Sequence, residues 1–152
     1  MKINIYSIQK KSNDEYSSIA DEFIKMSKKF ATVNDIQIFP QSLAKASSAA
    51  PCVVQKLYTQ IYEPYLKNGY NIALDVQGSK VDSYQFAKIL EDKNEVNFFI
   101  GGAFGFEREF LSKFDVLISL GALTMPHKLA HIVLCEQTFR GLCINNNHPY
   151  HK

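Results

Sequence analysis

Residues 96–105 read Val-Asn-Phe-Phe-Ile-Gly-Gly-Ala-Phe-Gly, an apolar run followed by three glycines within five positions. Val96–Ile100 is short, rich in aromatic and branched residues and bounded by a turn signal, which predicts a buried strand. Gly101, Gly102 and Gly105 allow positive φ angles and a close approach of the backbone to a neighbour. The strand therefore ends in a loop that is either a plain turn into a helix or part of a binding site.

Strands and helices alternate on both sides of this stretch. The predicted strands cover residues 2–8, 33–39, 70–76, 96–100 and 116–120. The predicted helices begin near residue 14 and then cover 51 to about 68 (shortened or kinked at Pro64), 83–91, 107–113 and 127–144, with 41–50 a loop or the start of a helix. This alternation predicts an α/β architecture with a mainly parallel sheet flanked by helices. Ligands bind such sheets at the carboxyl ends of the strands, so the loops after Asp75, Ile100 and Leu120 should meet there.

Length and composition predict one globular domain over residues 1–152. Hydrophobic residues make up 46% and charged residues 21%, and no apolar stretch approaches the roughly 20 residues that a bilayer requires. The first residues lead directly into a strand pattern and carry no secretory signal, so we expect a cytoplasmic protein without membrane contact. Cys52, Cys135 and Cys143 are odd in number and widely spaced, which predicts buried structural thiols.

Two common nucleotide folds are disfavoured. The first strand leads into residues 9–13, Gln-Lys-Lys-Ser-Asn, so the G-x-G-x-x-G turn of dinucleotide-binding folds is missing. No G-x-x-x-x-G-K-[ST] motif occurs either. A second strand-exit loop, Leu120–His127, is small and apolar up to Pro126. Together with the glycine loop it could hold a flat adenine through apolar contacts and backbone hydrogen bonds, or it could simply pack against the core.

Histidines and the C-terminus suggest further chemistry. His127, His131 and Cys135 share one predicted helix face, which leaves a metal site open, although the H-E-x-x-H glutamate is absent. We expect no metal, and we read His131 as a surface or interface residue and His127 as the better placed to meet a base or a phosphate. The segment from Leu120 onward contains all four histidines and a single acid, Glu136, which predicts an anionic partner.

The last six residues, Asn147–Lys152, are dense in rings and titratable groups, which predicts a tail docked on the domain. Arg140 could contact a phosphate, or it could pair with Glu136 one helical turn earlier. Tyr150 could stack on an extruded base, or it could cover an apolar patch. Lys152 offers a mobile positive charge at the end of the chain.

Five segments taken together resemble the SPOUT-type ribosomal RNA methyltransferases, specifically the ribosomal RNA large subunit methyltransferase H family. They are Leu74–Lys80, Ile100–Gly102, Leu123–His127, Glu136–Arg140 and Asn147–Lys152. The resemblance implies an α/β SPOUT fold whose C-terminal segment forms a deep trefoil knot, a homodimer, and S-adenosylmethionine as cofactor. It also implies methylation of N3 of a pseudouridine in 23S rRNA on the assembled 70S ribosome.

The resemblance also implies site residues. The donor pocket would comprise Leu74, Gly101, Leu120, Gly121, Ala122, Leu123, Thr124 and Met125. The residues near the methyl group and the target base would be His127, Arg140, Tyr150, His151 and Lys152. Two positions depart from the family pattern: His131 replaces a usual arginine, which should lower the charge of an RNA-facing surface, and Phe139 replaces a frequent tyrosine. A non-catalytic ribosome- or RNA-binding module of the same fold and a small metalloenzyme are the alternatives.

Overall fold

The computed structural model describes residues 1–152 as five strands and six α-helices. The strands are β1 (Lys2–Ile8), β2 (Thr32–Ile38), β3 (Tyr70–Lys80), β4 (Glu95–Ile100) and β5 (Val116–Ser119). The helices are α1 (Glu15–Ser27), α2 (Gln41–Lys45), α3 (Pro51–Tyr62), α4 (Ser83–Leu90), α5 (Arg108–Leu111) and α6 (His127–Asn145). A 3-10 turn, Glu63–Tyr65, follows α3 and contains Pro64, so the predicted shortening of this helix is confirmed.

The five strands form one parallel sheet in the order β2-β1-β4-β3-β5, which confirms the predicted α/β class. β3 pairs with β5 in two stretches, because Leu74 and Ser79 both align with Ile118 and residues 75–78 bulge out between them. This second stretch extends β3 to Lys80, four residues beyond the predicted end at Val76. The bulge lies at the carboxyl edge of the sheet, where β4 and β5 end.

Helices cover both faces of the sheet. Ile3, Ile5, Ile72 and Phe98 pack on one face against α1, α4 and α6. Tyr6, Ala73 and Phe99 pack on the other face against α2, α3 and α5. The central strands β1, β3 and β4 are therefore buried on both sides, as is usual in parallel sheets covered by helices.

Local signals fix the helix starts. Asp14 caps α1 by accepting a hydrogen bond from the Ser17 backbone N–H at 3.0 Å, and Asp82 caps α4 in the same way from Gln85 at 2.8 Å. α6 begins directly after Pro126. Lys128, in its first turn, forms an ion pair with Asp14, which ties the start of α6 to the loop between β1 and α1.

A row of asparagine amides crosses four strands at the amino edge of the sheet. Asn34 donates to Asn4 at 2.9 Å, Asn4 donates to Asn97 at 2.8 Å, and Asn97 donates to Asn71 at 3.0 Å. Asn4, Asn97 and Asn71 are buried. The strand register places these four residues directly beside one another, so the row spans β2, β1, β4 and β3.

The cysteine prediction is confirmed in part. Cys135 and Cys143 are buried, but Cys52 lies exposed in the first turn of α3, so its predicted burial was wrong. No helix combines the length and the apolar character that crossing a membrane would require.

Candidate functional site

A cavity of about 730 Å³ opens at the carboxyl edge of the sheet. Its walls come from the bulge in β3, from the loops that follow β4 and β5 and from the first turn of α6. The predicted meeting at this edge is confirmed for the loops after Ile100 and Leu120, whereas the residues after Asp75 reach it as the bulge of β3, which continues to Lys80. The volume lies within the range of about 300–1,000 Å³ that is typical of small-molecule sites.

Two glycines shape the cavity walls. A Cβ atom on Gly102 would lie 2.3 Å from the Tyr58 ring, so the loop after β4 can pass this ring only as bare backbone. Gly121 has a φ of +136°, a conformation that residues with a side chain rarely adopt. The loop after β5 is further fixed by Ser119, whose hydroxyl donates to the Gly121 carbonyl at 3.0 Å.

Most of the residues predicted for the donor pocket come together at this cavity. Those that line it are Leu74, Gly101, Leu120, Gly121, Leu123, Thr124 and Met125. Ala122 is exposed in the same loop and does not line the wall. Leu123 is 82% exposed, so the cavity has apolar surface open to a ligand or a second molecule.

His127 lies at the wall of the cavity, half-buried, at the start of α6. Burial, together with the charges of Lys128 and His131, lowers the pKa of His127 below its ordinary value of 6.5. Its imidazole is therefore neutral at pH 7 and can accept a proton.

The remaining predicted catalytic residues lie elsewhere in the chain. Arg140, Tyr150 and His151 gather at the far end of α6, and Lys152 is exposed at the terminus. Because an α-helix rises 1.5 Å per residue, Arg140 lies roughly 20 Å along α6 from His127. Arg140, Tyr150 and His151 are therefore close to one another, and neither they nor Lys152 line their own chain's cavity.

Glu136 anchors the tail. It pairs with Arg140 and accepts a hydrogen bond from the Tyr150 hydroxyl at 3.0 Å. The Tyr150 ring packs on Phe139 with 4.7 Å between centroids, and Arg140 donates to Nδ1 of His151 at 3.2 Å. Burial and the Glu136 carboxylate raise the pKa of the Tyr150 phenol. The docked tail and the Arg140–Glu136 pair are confirmed, and Tyr150 covers an apolar patch here.

His131 does not lie on the surface, so that prediction was wrong. It is 3% exposed, and its Nε2 lies 2.9 Å from Oδ1 of Asp35 on β2. Burial raises the pKa of the neighbouring Cys135 thiol far above its usual range, so a thiolate is unavailable. No group of three or more His, Cys, Asp or Glu side chains has an arrangement that could hold a metal ion. His131 therefore makes a buried contact with β2 and does not belong to the exposed surface of the chain.

Comparison with known protein families identifies the family of this chain. A family model described as "Predicted SPOUT methyltransferase" matches residues 1–151. The chain belongs to the SPOUT methyltransferase family. Two curated relatives named Ribosomal RNA large subunit methyltransferase H are similar along their whole length and along the whole of this chain. The protein of Aliarcobacter butzleri (strain RM4018) is 59% identical over 152 residues, and that of Sulfurovum sp. (strain NBC37-1) is 50% identical over 153.

A solved structure supports the fold of this SPOUT family member. It is described as a probable methylase family protein from Haemophilus influenzae Rd KW20, and it superimposes with a TM-score of 0.57 at 15% identity. The match covers 95% of this chain and 66% of that chain.

Several residues that line the cavity were not predicted from the sequence. Asp75, Val76, Phe106 and Ala130 belong to it. Asp75 and Val76 are the last two residues of the predicted strand 70–76, which was the available signal. A second cavity of about 470 Å³ was not predicted either; it lies on the other side of the glycine loop, where Tyr58 and Phe39 form part of the wall. His127 lines both cavities, so its imidazole stands at the boundary between them.

Proposed function

We propose that this protein methylates N3 of a pseudouridine in 23S rRNA, using S-adenosylmethionine, on the assembled 70S ribosome in the cytoplasm. The observation that carries the proposal is the cavity at the carboxyl edge, built from glycine and apolar loops, with one neutral imidazole at its wall. The curated relatives, whose names state ribosomal RNA large subunit methylation, supply the substrate class.

The cavity suits the donor. The loop after β5 offers apolar side chains and free backbone groups, which can hold an adenine without a charged side chain. Gly102 and Gly121 keep Cβ atoms out of the two walls, so the ligand can lie against the backbone. Bound there, the donor supplies an electrophilic methyl group.

The protein has two tasks in this reaction. It holds N3 in line with the methyl carbon, and it removes the N3 proton, because the neutral imide is a poor nucleophile. His127 accepts that proton, directly or through a water, since its imidazole is neutral at pH 7. N3 then forms the bond to carbon while the carbon–sulfur bond breaks, and S-adenosylhomocysteine leaves.

The position of the tail favours a homodimer. Arg140 lies roughly 20 Å along α6 from His127, too far to serve the cavity within one chain. Tyr150 and His151 contact the Arg140–Glu136 pair, so they lie at the same end of α6. In our proposal the tail of one subunit reaches the cavity of the other, where its cations stabilise the developing negative charge on the base. We further propose that the C-terminal segment forms the deep trefoil knot of the family, with α6 packed between α1 and α4.

The test is nucleoside mass spectrometry of 23S rRNA from ribosomes that lack the modification, after incubation with the protein and S-adenosylmethionine. We expect N3-methylpseudouridine on 70S ribosomes and little on free large subunits. Donor binding without any new methyl group on either substrate would contradict the proposal and would favour a non-catalytic ribosome- or RNA-binding module.

A further inference from the structure

The cavity at the carboxyl edge contains a single acidic side chain. Among the residues that line it, Asp75 is the only one with a carboxylate, and none is a lysine or an arginine. Apart from His127, the other walls are apolar side chains, glycines and hydroxyls. A lone carboxylate in such a cavity is a recognition group for a cation or a hydrogen-bond donor of the ligand.

The bulge in β3 orients this carboxylate. Oδ1 of Asp75 accepts a hydrogen bond from the Gln77 backbone N–H at 2.9 Å, which fixes the side chain at the first position of the bulge. No protein group donates to Oδ2. Asp75 is half-buried, and its neighbour Val76 is 74% exposed. Asp75 therefore lies in a solvated part of the cavity wall, whereas Ile100 and Phe106 form a buried, apolar part of it.

We propose that Asp75 binds the α-ammonium group of the S-adenosylmethionine amino-acid end. This inference rests on the proposed function, since it names the residue that recognises one part of the proposed donor. The sulfonium carries a positive charge but no N–H, so it cannot donate to Oδ2, whereas the ammonium offers three donors. The charged amino-acid end also belongs at the solvated part of the wall, which leaves the buried, apolar part for the adenosine.

Three adenosine ligands separate the possible contacts. S-adenosylmethionine carries the sulfonium, the ammonium and the ribose, S-adenosylhomocysteine lacks the sulfonium charge, and 5′-methylthioadenosine lacks the whole amino-acid end. Isothermal titration of each against the wild type and Asp75→Asn measures the three dissociation constants. The amide oxygen of the variant can still accept from the Gln77 N–H, so the bulge keeps its turn. Asp92→Asn is the matched control, because Asp92 has a φ of 55°, which asparagine tolerates, and precedes β4 at the opposite edge.

We expect Asp75→Asn to bind S-adenosylmethionine and S-adenosylhomocysteine about tenfold more weakly, and 5′-methylthioadenosine as the wild type does. Unchanged binding of 5′-methylthioadenosine also shows that the variant is folded. An equal loss for all three ligands would assign Asp75 to the ribose, and a loss for S-adenosylmethionine alone would assign it to the sulfonium. Either result, or no loss at all, overturns the inference. A wild-type protein that binds none of the three would instead reject the proposed donor itself.

Discussion

The two edges of the sheet use polar groups in opposite ways. At the amino edge, the amides of Asn34, Asn4, Asn97 and Asn71 bond to one another and leave nothing for a ligand. At the carboxyl edge, β4 and β5 end in glycine-containing loops around a cavity, and Oδ2 of Asp75 on β3 has no protein partner. The comparison teaches that the hydrogen bonds of one edge stabilise the fold, whereas the open groups of the other are available to bind.

Substitutions at the two edges should therefore affect two different quantities, the free energy of unfolding and the affinity for a ligand. A change at the amino edge should lower the free energy of unfolding and leave ligand affinity intact in the folded fraction. A change at the carboxyl edge should weaken ligand binding and leave the free energy of unfolding nearly unchanged.

Asn97→Leu should have the largest effect on stability. It leaves Oδ1 of Asn71 and the Asn68 carbonyl without their amide donor, and it removes the acceptor of Asn4. We expect the free energy of unfolding to fall by about 3 kcal/mol, measured by urea denaturation, because unpaired buried polar groups cost about 1–3 kcal/mol each. Asn34→Leu, at the half-buried end of the row, should lose about 1 kcal/mol. Weakened S-adenosylmethionine binding by folded Asn97→Leu would contradict the claim that the amino edge contributes to stability and not to binding.

His127→Ala should lower turnover by about 100-fold, the size expected for removal of a general base. Because the pKa of His127 is lowered below 6.5, wild-type turnover should be complete above that pH and fall as the pH decreases through the lower pKa. The variant should lack this acidic limb, and its dissociation constant for S-adenosylmethionine should change less than about threefold. Methyl transfer to ribosomes between about pH 5 and 8 measures the turnover and its pH dependence. Titration calorimetry measures the dissociation constant. Unaltered turnover would remove His127 from the proposed role.

Gly102→Ala should weaken donor binding by about tenfold, because the new Cβ atom would lie 2.3–2.8 Å from the Tyr58 ring and must displace the loop or the ring. Titration calorimetry with S-adenosylmethionine measures the loss. The double variant Gly102→Ala, Tyr58→Leu should recover most of the affinity, since leucine leaves room for the methyl group. Full affinity in the single variant would show that the loop moves freely and does not shape the cavity.

Tyr150→Phe should have the smallest effect. It removes the hydroxyl that donates to Glu136 but leaves the ring packed on Phe139 and beside Arg140. We expect a loss of about 0.5–1 kcal/mol in the free energy of unfolding, measured by urea denaturation. Tyr150→Ala, which uncovers Phe139, should lose about 2 kcal/mol. Equal losses in the two variants would mean that the hydroxyl, and not the ring, holds the tail.

Local patterns in the sequence predicted most of the elements. Val96–Ile100 is a strand because its apolar run is short and is followed by glycine, and Pro64 ends a helix because proline lacks an N–H. The meeting of the cavity loops also followed from strand ends, since parallel strands bring their carboxyl ends to one edge. These predictions depend on neighbours within a few positions.

Contacts between distant residues could not be predicted in this way. The sequence predicted His131 to be a surface or interface residue. Its burial depends on Asp35 of β2, which lies 96 positions away in the chain. The bulge after Leu74 depends on where β5 pairs, and Cys52 is exposed because of the face that α3 presents. The separation of His127 and Arg140 did follow from the predicted helix 127–144, whereas the docking of Tyr150 on Phe139 and Glu136 depends on the path of the chain after α6.

The asparagine row also restricts how the chain can assemble. Its four members are far apart in sequence, at positions 4, 34, 71 and 97, and parallel strands that pair at such separations form slowly. A slip of two residues would keep every side chain on its own face, so apolar burial alone would scarcely distinguish it from the native alignment. The same slip would set Asn4 against Ile36 or Thr32 and end the amide chain. The amide hydrogen bonds therefore stabilise the native strand register relative to a register shifted by two residues. The native register is also the one in which the loops of the opposite edge meet.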